Sequence, residues 1–382
     1  MNSLLPVTIL GMLVAGLAAS VLGTVKLPLA RKLQLGDDRI GVLVTALSAP
    51  FLPVVLITGW LVDSVGCRSI LMVSAVGISL GLWRFSAARR FASALASGLL
   101  FAVSFAMLIN VVHVLIPIAF PPPLALATNL ADSCFGVGAL ATPLLAAALF
   151  PRFGMERLIQ LIAMAAITVA VTAFFVTGIA EVVSEPSGLA SSEPIRTLDL
   201  LTHPMIWLCG LCLATFGPVE SAFSTWTTSY LVEKRFDAGF ATRMLSGFWT
   251  ASIVGRVVTG FVLPAGWEGA LLVGAAVVNL LVLLAVVTTR RRELAPLLVI
   301  SAGLCLGPVF PTVIAVVFES FEAHAHGRAV GLAMAIGSVG YTLSPVLVGY
   351  YARRTSIQRS FAILLVPGVV FLLLTMILSR SV

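Results

Sequence analysis

Apolar stretches of about twenty residues, separated by short polar breaks, run the whole length of the chain. They predict membrane-spanning helices over residues 4–25, 40–62, 69–87, 92–119, 124–149, 157–180, 203–231, 242–263, 269–288, 295–319, 328–350 and 359–379. Each is read as a helix, because lipid offers no partner to a backbone N–H or C=O and a helix satisfies these groups within one segment. The longest polar interruption, EVVSEPSGLASSEPIRTLDLLT at 181–202, is rich in Ser, Pro and acids and reads as a linker. It leaves six spans on either side. The expected fold is therefore an all-α membrane protein of twelve transmembrane helices in two six-helix bundles, 1–180 and 203–382, joined by a linker at 181–202. Two such halves suit a carrier that rocks one bundle against the other around a central site.

The seventh span departs from the purely apolar pattern. Its sequence at 216–231, FGPVESAFSTWTTSYL, carries one carboxylate, Glu220, at mid-length. In steps of about 100° per residue, Glu220, Ser221, Ser224, Thr225, Thr227 and Thr228 share one arc of the helix. An ionisable group on a polar face inside lipid marks a solute or ion pathway. The plainer alternative is a helix–helix seam, since Ser and Thr also join transmembrane helices. Seam Ser and Thr are common and an intramembrane Glu is not, which favours the pathway.

Composition agrees with the pattern. Charged residues are 10% of the chain and hydrophobic ones 59%, with a mean hydropathy of +1.10. A soluble domain carries about 25% charged residues, so this chain lacks the polar surface to cover itself in water. The net charge of +7 sits in short clusters at span ends, such as Arg89 with Arg90 and Arg353 with Arg354. That is a headgroup-anchoring pattern rather than a nucleic-acid surface. Of the five cysteines, Cys209 and Cys212 have a CxxC spacing without further ligands, so helix packing is expected and no metal or other cofactor. A Gly-rich nucleotide loop with its Lys-Ser/Thr is absent from the sequence, as is a His-x-x-x-His pair, which argues against an ATP-driven pump or a membrane enzyme.

The segment Gly59-Trp60-Leu61-Val62-Asp63-Ser64-Val65-Gly66-Cys67-Arg68 resembles the loop signature G-x-L-x-D-x-x-G-x-R of the major facilitator superfamily. Ser64 and Cys67 stand where that loop usually has basic residues. Asn129, Asp132, Gly136 and Gly138 with Pro143 look like the fifth span of the sugar-transporting branch near the fucose:proton symporters. Gly217, Glu220, Trp226, Tyr230 and Leu231 resemble that branch's seventh span. Gly255 and Arg256 with Gly260 resemble its eighth, and Leu306 to Thr312 its tenth. The resemblance implies a secondary transporter that moves a small polar solute, a sugar first, by alternating access, with a proton or sodium ion as coupling partner. It implies a gating role for Asp63, Gly66 and Arg68. The branch often holds acids in the first and fourth spans; here the first has none and the fourth offers Asn110 and His113. Proton coupling is accordingly expected at Glu220 and Asp132.

Other residues complete the expected site. Asp132 is either a solute or proton ligand or a structural acid near a helix end. Asn110 and His113, three apart, face the same way; a titrating His and a His satisfied across helices are both open. Asn129, Ser224, Thr228, Phe310 and Tyr341 are further solute-binding candidates. Phe310 sits where Pro308 and Pro311 must bend the span. Tyr341 lies on a stripe with Ser338 and Ser344, beside Gly337 and Gly340 that would equally serve close packing. Arg256 is expected as a gate or structural ion pair. Exporters of drugs or metabolites share this fold, and a non-transporting receptor or scaffold is a reading from another class. The expected setting is a cell membrane, bacterial inner membrane or equivalent, with the protein a monomer among its lipids. With the N-terminus cytoplasmic, as the resemblance implies, the 181–202 linker is cytoplasmic too. Most Lys and Arg then fall on the outer side, against the positive-inside rule.

Overall fold

Prolines and glycines decide where these helices break and how closely they pack. The computed structural model describes residues 4–35, 37–120, 122–176 and 197–381. Ten helices are long and apolar enough to cross a membrane. One of them, Leu124–Phe175, has 52 residues. At a rise of about 1.5 Å per residue it would be more than twice the thickness of a hydrocarbon core. Gly154, at φ 72° and ψ 177°, breaks it into two spans, within the 149–157 gap that the hydrophobic pattern predicts. Ala46–Val62 is a shorter apolar helix in the place of the predicted second span. Twelve crossings result, and the described residues contain no strand. Large apolar side chains are exposed along the spans, among them Phe261, Leu281, Val366 and Leu373, as suits contact with lipid.

Two compact units make up the chain. The first holds α1 (Leu4–Ala19), α2 (Val21–Leu33), α3 (Asp37–Ser48), α4 (Phe51–Val65), α5 (Cys67–Ser86), α6 (Phe91–Ala119) and most of α7 (Leu124–Phe175). The second holds α8 (Thr197–Thr202), α9 (Pro204–Glu233), α10 (Ala238–Val262), α11 (Glu268–Thr288), α12 (Leu294–Leu306), α13 (Val309–Ser320), most of α14 (His326–Ala352), α15 (Ile357–Ser360) and α16 (Leu365–Leu378). Each unit also takes in a helix start from the far side of the sequence. Residues 322–331, opening α14, group with the first unit, and residues 122–133, opening α7, group with the second. Of the expected linker, 181–196 lies outside the described residues, while its end forms α8.

Several predicted spans are interrupted, the first at Ser20 between α1 and α2 among them. The second is divided between α3 and α4 by Ala49 and Pro50, a break that the hydrophobic pattern does not reveal. The tenth stops at Leu306 and resumes at Val309, where Pro308 and Pro311 were expected to bend it. Elsewhere helices pack through glycine. In the first unit a Cβ on Gly16 would collide with the carbonyl of Phe135, and one on Gly138 with that of Leu13, so α1 and α7 meet backbone to backbone. In the second unit Gly303 and Gly307 stand in the same relation to the carbonyls of Phe248 and Ser252 on α10. The four-residue spacing on both helices makes a small-residue seam of the kind that holds membrane helices together by close contact.

Candidate functional site

The second unit concentrates its buried polar chemistry around Glu220. This residue lies near the middle of α9 and is 8% exposed. One carboxylate oxygen, Oε2, accepts a hydrogen bond from the Tyr341 hydroxyl of α14. The other, Oε1, lies 3.9 Å from Nη2 of Arg256 on α10. Arg256 is itself 4% exposed. A charge so deeply buried is costly unless it is paired and its donors are used. Here its Nε donates to the Gly307 carbonyl at 2.9 Å and its Nη1 to the main-chain carbonyl of Asp132 at 2.8 Å.

A proline explains why the Gly307 carbonyl is free. The helical donor for the Gly307 carbonyl would be residue 311, and Pro311 has no N–H. Arg256 supplies the missing hydrogen bond. The carbonyl of Leu304 loses its donor to Pro308 in the same way, and Gly255 brings its Cα against that carbonyl. Adjacent residues of α10 thus serve the two carbonyls that the broken tenth span exposes. On α9, Pro218 deprives the Ala214 carbonyl, and Gly340 of α14 closes on it. A Cα–H directed at such an oxygen is a weak hydrogen bond that fits these close approaches.

The start of α7 adds three polar residues. Asp132 is buried, and its carboxyl is near enough to act electrostatically on Glu220 and Tyr341. Asn129 is fully buried; its Nδ2 donates to the Ala125 carbonyl at 2.8 Å and reaches Thr312 Oγ1 at 3.4 Å. Its Oδ1 has no partner among the described residues. An amide held by its nitrogen leaves its oxygen pointed as an acceptor. Phe310 is half-buried just past the α12–α13 break.

A sequence model described as Major Facilitator Superfamily matches residues 8–290. The chain belongs to the major facilitator superfamily. It is a multi-pass membrane protein of that superfamily. Among solved structures, the human organic anion transporter MFSD10 (TETRAN) superposes with a TM-score of 0.81 at 16% identity, covering 98% of this chain and 99% of that one. The E. coli fucose:proton symporter FucP gives a TM-score of 0.77 at 12% identity, covering 99% of each chain. Identities this low speak for the shared fold alone. A curated relative, "Bypass of stop codon protein 6" of Saccharomyces cerevisiae, is 29% identical over 171 residues, 42% of this chain. The match spans 34% of that protein's length.

Within this superfamily member, the expected site residues divide between the units. Glu220, Arg256 and Tyr341 come together through side chains, joined by Asp132 through its carbonyl; Asn129 lies on the same opening turns of α7 as Asp132 and reaches Thr312. Ser224 is partly buried and donates to the Ser221 carbonyl at 3.0 Å, within its own helix. Thr228 is partly buried on the same helix. Asn110 and His113 belong to the first unit. Both are buried on α6; His113 Nδ1 lies 2.7 Å from the Ile109 carbonyl, and neither side-chain atom of Asn110 has a partner among the described residues. The gating candidates also lie in the first unit. Gly66 ends α4 at φ 91°, in the left-handed region that favours glycine. Arg68 donates to the Phe174 carbonyl and stacks over that ring with 5.7 Å to its centroid. The side chain of Asp63 lies outside the described residues. Sequence reasoning missed Gly307 as the partner of Arg256 and Thr312 as a neighbour of Asn129. The Pro308 and Pro311 pair signalled the first, because a proline always frees the carbonyl four residues earlier.

Proposed function

We propose that this protein is a secondary active carrier of a small polar solute, a sugar in the first instance, driven by a proton gradient. The observation behind the reading is Glu220, a carboxylate buried at mid-span and held between a tyrosine hydroxyl and a guanidinium. A carboxylate in a span costs about 2.5–3.5 kcal/mol on insertion scales, so it is retained for use. Closing the site favours its neutral form, and opening to water lets it ionise again. In this reading Glu220 carries the coupling proton and Asp132 assists it. Asn129, Ser224, Thr228, Phe310 and Tyr341 in the second unit, and Asn110 and His113 in the first, are each assigned to solute binding. Asp63, Gly66, Arg68 and Arg256 gate. A fold shared with a fucose:proton symporter is in keeping with this assignment. The protein acts as a monomer in a cell membrane, such as a bacterial inner membrane.

One observation favours a second substrate class. Arg256 is a buried cation whose Nη2 lies 3.9 Å from Glu220 Oε1, longer than a hydrogen bond. Protonating Glu220 would leave that nitrogen for a carboxylate on the solute, which describes an organic anion taken up with a proton. Proteoliposomes holding the purified protein separate the readings. Radiolabelled neutral hexoses and deoxyhexoses, and mono- and dicarboxylic acids, are offered under an imposed pH gradient. Accumulation of a sugar supports the first reading, and accumulation of an acid supports the second. Under either, Glu220→Gln abolishes accumulation and retains solute exchange, because Gln hydrogen-bonds without titrating. A Glu220→Gln protein that accumulates solute like the unmodified one removes Glu220 from the coupling role. The 181–202 linker is assigned to the cytoplasm; labelling of a single cysteine there by an impermeant thiol reagent in intact cells would reverse the topology.

A further inference from the structure

Tyr341 is fixed against Glu220 by both helices that carry them. Gly217 lies one turn before Glu220, and a Cβ on it would sit 2.6 Å from Cε2 of the Tyr341 ring. No larger residue leaves the ring its place. On α14, Gly337 and Gly340 let the main chain of α9 approach. Two more hydrogen bonds set the register of the pair. Ser344 Oγ donates to the Pro218 carbonyl at 2.7 Å, and Ser221 Oγ donates to the carbonyl of Tyr341 itself at 3.4 Å. Ring, backbone and hydroxyl are all placed, and the hydroxyl is spent on Glu220 Oε2.

A phenol O–H bonds an ionised carboxylate more strongly than a neutral carboxyl, so it favours the charged form. The other charged groups near Glu220 are Arg256 from α10, whose Nη2 lies 3.9 Å away, and Asp132 from the start of α7. Tyr341 is therefore the contribution of α14, and it depends on how closely α14 rides on Gly217.

We propose that Tyr341 is a positioning residue for the coupling step, and that its hydroxyl, seated by Gly217, sets the pH at which Glu220 takes up its proton. This rests on the reading of Glu220 as the coupling group. Infrared difference spectroscopy of the purified full chain in lipid nanodiscs tests it without knowledge of the solute. The carboxylic-acid band of Glu220 is identified by its loss in Glu220→Gln and followed through a pH titration. In Tyr341→Phe the ring stays and the hydroxyl goes, and the midpoint should rise by about one pH unit, about tenfold in proton affinity. Gly217→Ala displaces the ring and should move the midpoint the same way. The double variant should move it no further than Tyr341→Phe alone, since both changes remove one interaction. An unchanged or lowered midpoint in Tyr341→Phe overturns the proposal. A Gly217→Ala midpoint like that of the unmodified protein, or additive shifts, overturns the seating by Gly217. If no band titrates, the coupling role of Glu220 fails first. If the band titrates and Tyr341→Phe leaves it in place, the role of Tyr341 fails alone.

Discussion

Two helix seams in this molecule have matching geometry and unlike chemistry. In the first unit, α4 meets the opening turns of α14. A Cβ on Gly59 would lie 2.6 Å from the Gly327 carbonyl, and one on Gly331 would lie 3.0 Å from the Val55 carbonyl and 3.3 Å from Asn110 Nδ2. In the second unit, α10 meets the opening turns of α7. There a Cβ on Gly260 would lie 3.1 Å from Leu126 Cδ1 and 3.4 Å from Asn129 Cβ. Both seams join the end of one span to the start of another from the opposite half of the sequence. The first closes by backbone fit. The second closes through Arg256, which bonds the Asp132 carbonyl of α7 while lying beside Glu220. Backbone fit is indifferent to pH. A guanidinium that shares its charge with a titratable carboxylate is not. The two seams differ in that the second places a buried guanidinium beside a carboxylate, the pair to which the proposed function gives the proton.

The largest effect is expected from breaking the charged seam. Arg256→Leu leaves Glu220 buried without its cation and the Gly307 carbonyl without a donor. Removing one partner of a buried pair costs about 3–5 kcal/mol. Thermal unfolding in detergent should show a large fall in Tm, and accumulation should be lost. Arg256→Lys keeps the charge but lacks the planar fork that reaches two carbonyls at once. It should fall between Arg256→Leu and the unmodified protein. If Arg256→Leu unfolds at the unmodified temperature, the ion pair contributes nothing and the contrast between the seams collapses.

The mechanical seam should break differently. Gly59→Ala places a methyl group against the main chain of Gly327, which cannot rotate away. Overpacking of this kind costs about 1–3 kcal/mol. Gly260→Ala meets the end of the Leu126 side chain, which has room to turn, and should cost less. The loss of transport in Gly59→Ala should be the same across pH, whereas Arg256→Lys should change the pH profile. Equal losses in the two alanine variants, or a pH-dependent loss in Gly59→Ala, would contradict the distinction. Asn110 sharpens it further. Both its polar atoms are buried without partners, and replacing such a group by an apolar one of similar size is nearly neutral or stabilising. Asn110→Leu should unfold at the same or a higher temperature, while solute uptake falls if the carboxamide binds solute. A fall in Tm would mean that Asn110 is a structural bond.

The sequence showed most of this arrangement through periodicity and through individual residues. Twelve spans followed from the spacing of apolar stretches, and the bend of the tenth from Pro308 and Pro311. Glu220 stood out because a carboxylate in a span needs a reason. What periodicity does not carry is partnership. It says nothing of which oxygen of Glu220 meets Tyr341 and which meets Arg256. The stripe of Tyr341 with Ser338 and Ser344 marks a face of the span without showing that its hydroxyl meets Glu220. The grouping of 122–133 with the second unit and 322–331 with the first is likewise a long-range matter. The division of the second span at Ala49 and Pro50 was missed because the apolar run continues through it.

The smallest expected effect comes from an ion pair at the surface, the counterpart of the buried one. Lys32 Nζ of α2 lies 2.8 Å from Glu156 Oε1, just past the Gly154 break, and also donates to the Ser86 carbonyl at 2.8 Å. The Glu156 side chain is 41% exposed, so water screens the pair and its contribution stays below about 1 kcal/mol. The hydrogen bond from Lys32 holds the carboxyl of Glu156 below its ordinary value, against a smaller upward push from burial. A carboxyl lowered in the folded state stabilises the protein above its unfolded value, and this stabilisation disappears as pH falls through the folded value. Glu156→Gln should therefore lower Tm slightly at neutral pH and by nothing once acid has protonated Glu156 in both states. The difference should shrink with added salt, since exposed charges are screened within about 10 Å at 0.1 M. The Arg256→Leu deficit should persist in the same salt, because Arg256 and Glu220 have almost no water around them. If salt removes both deficits alike, the buried pair behaves as a surface pair and the second unit does not shield it.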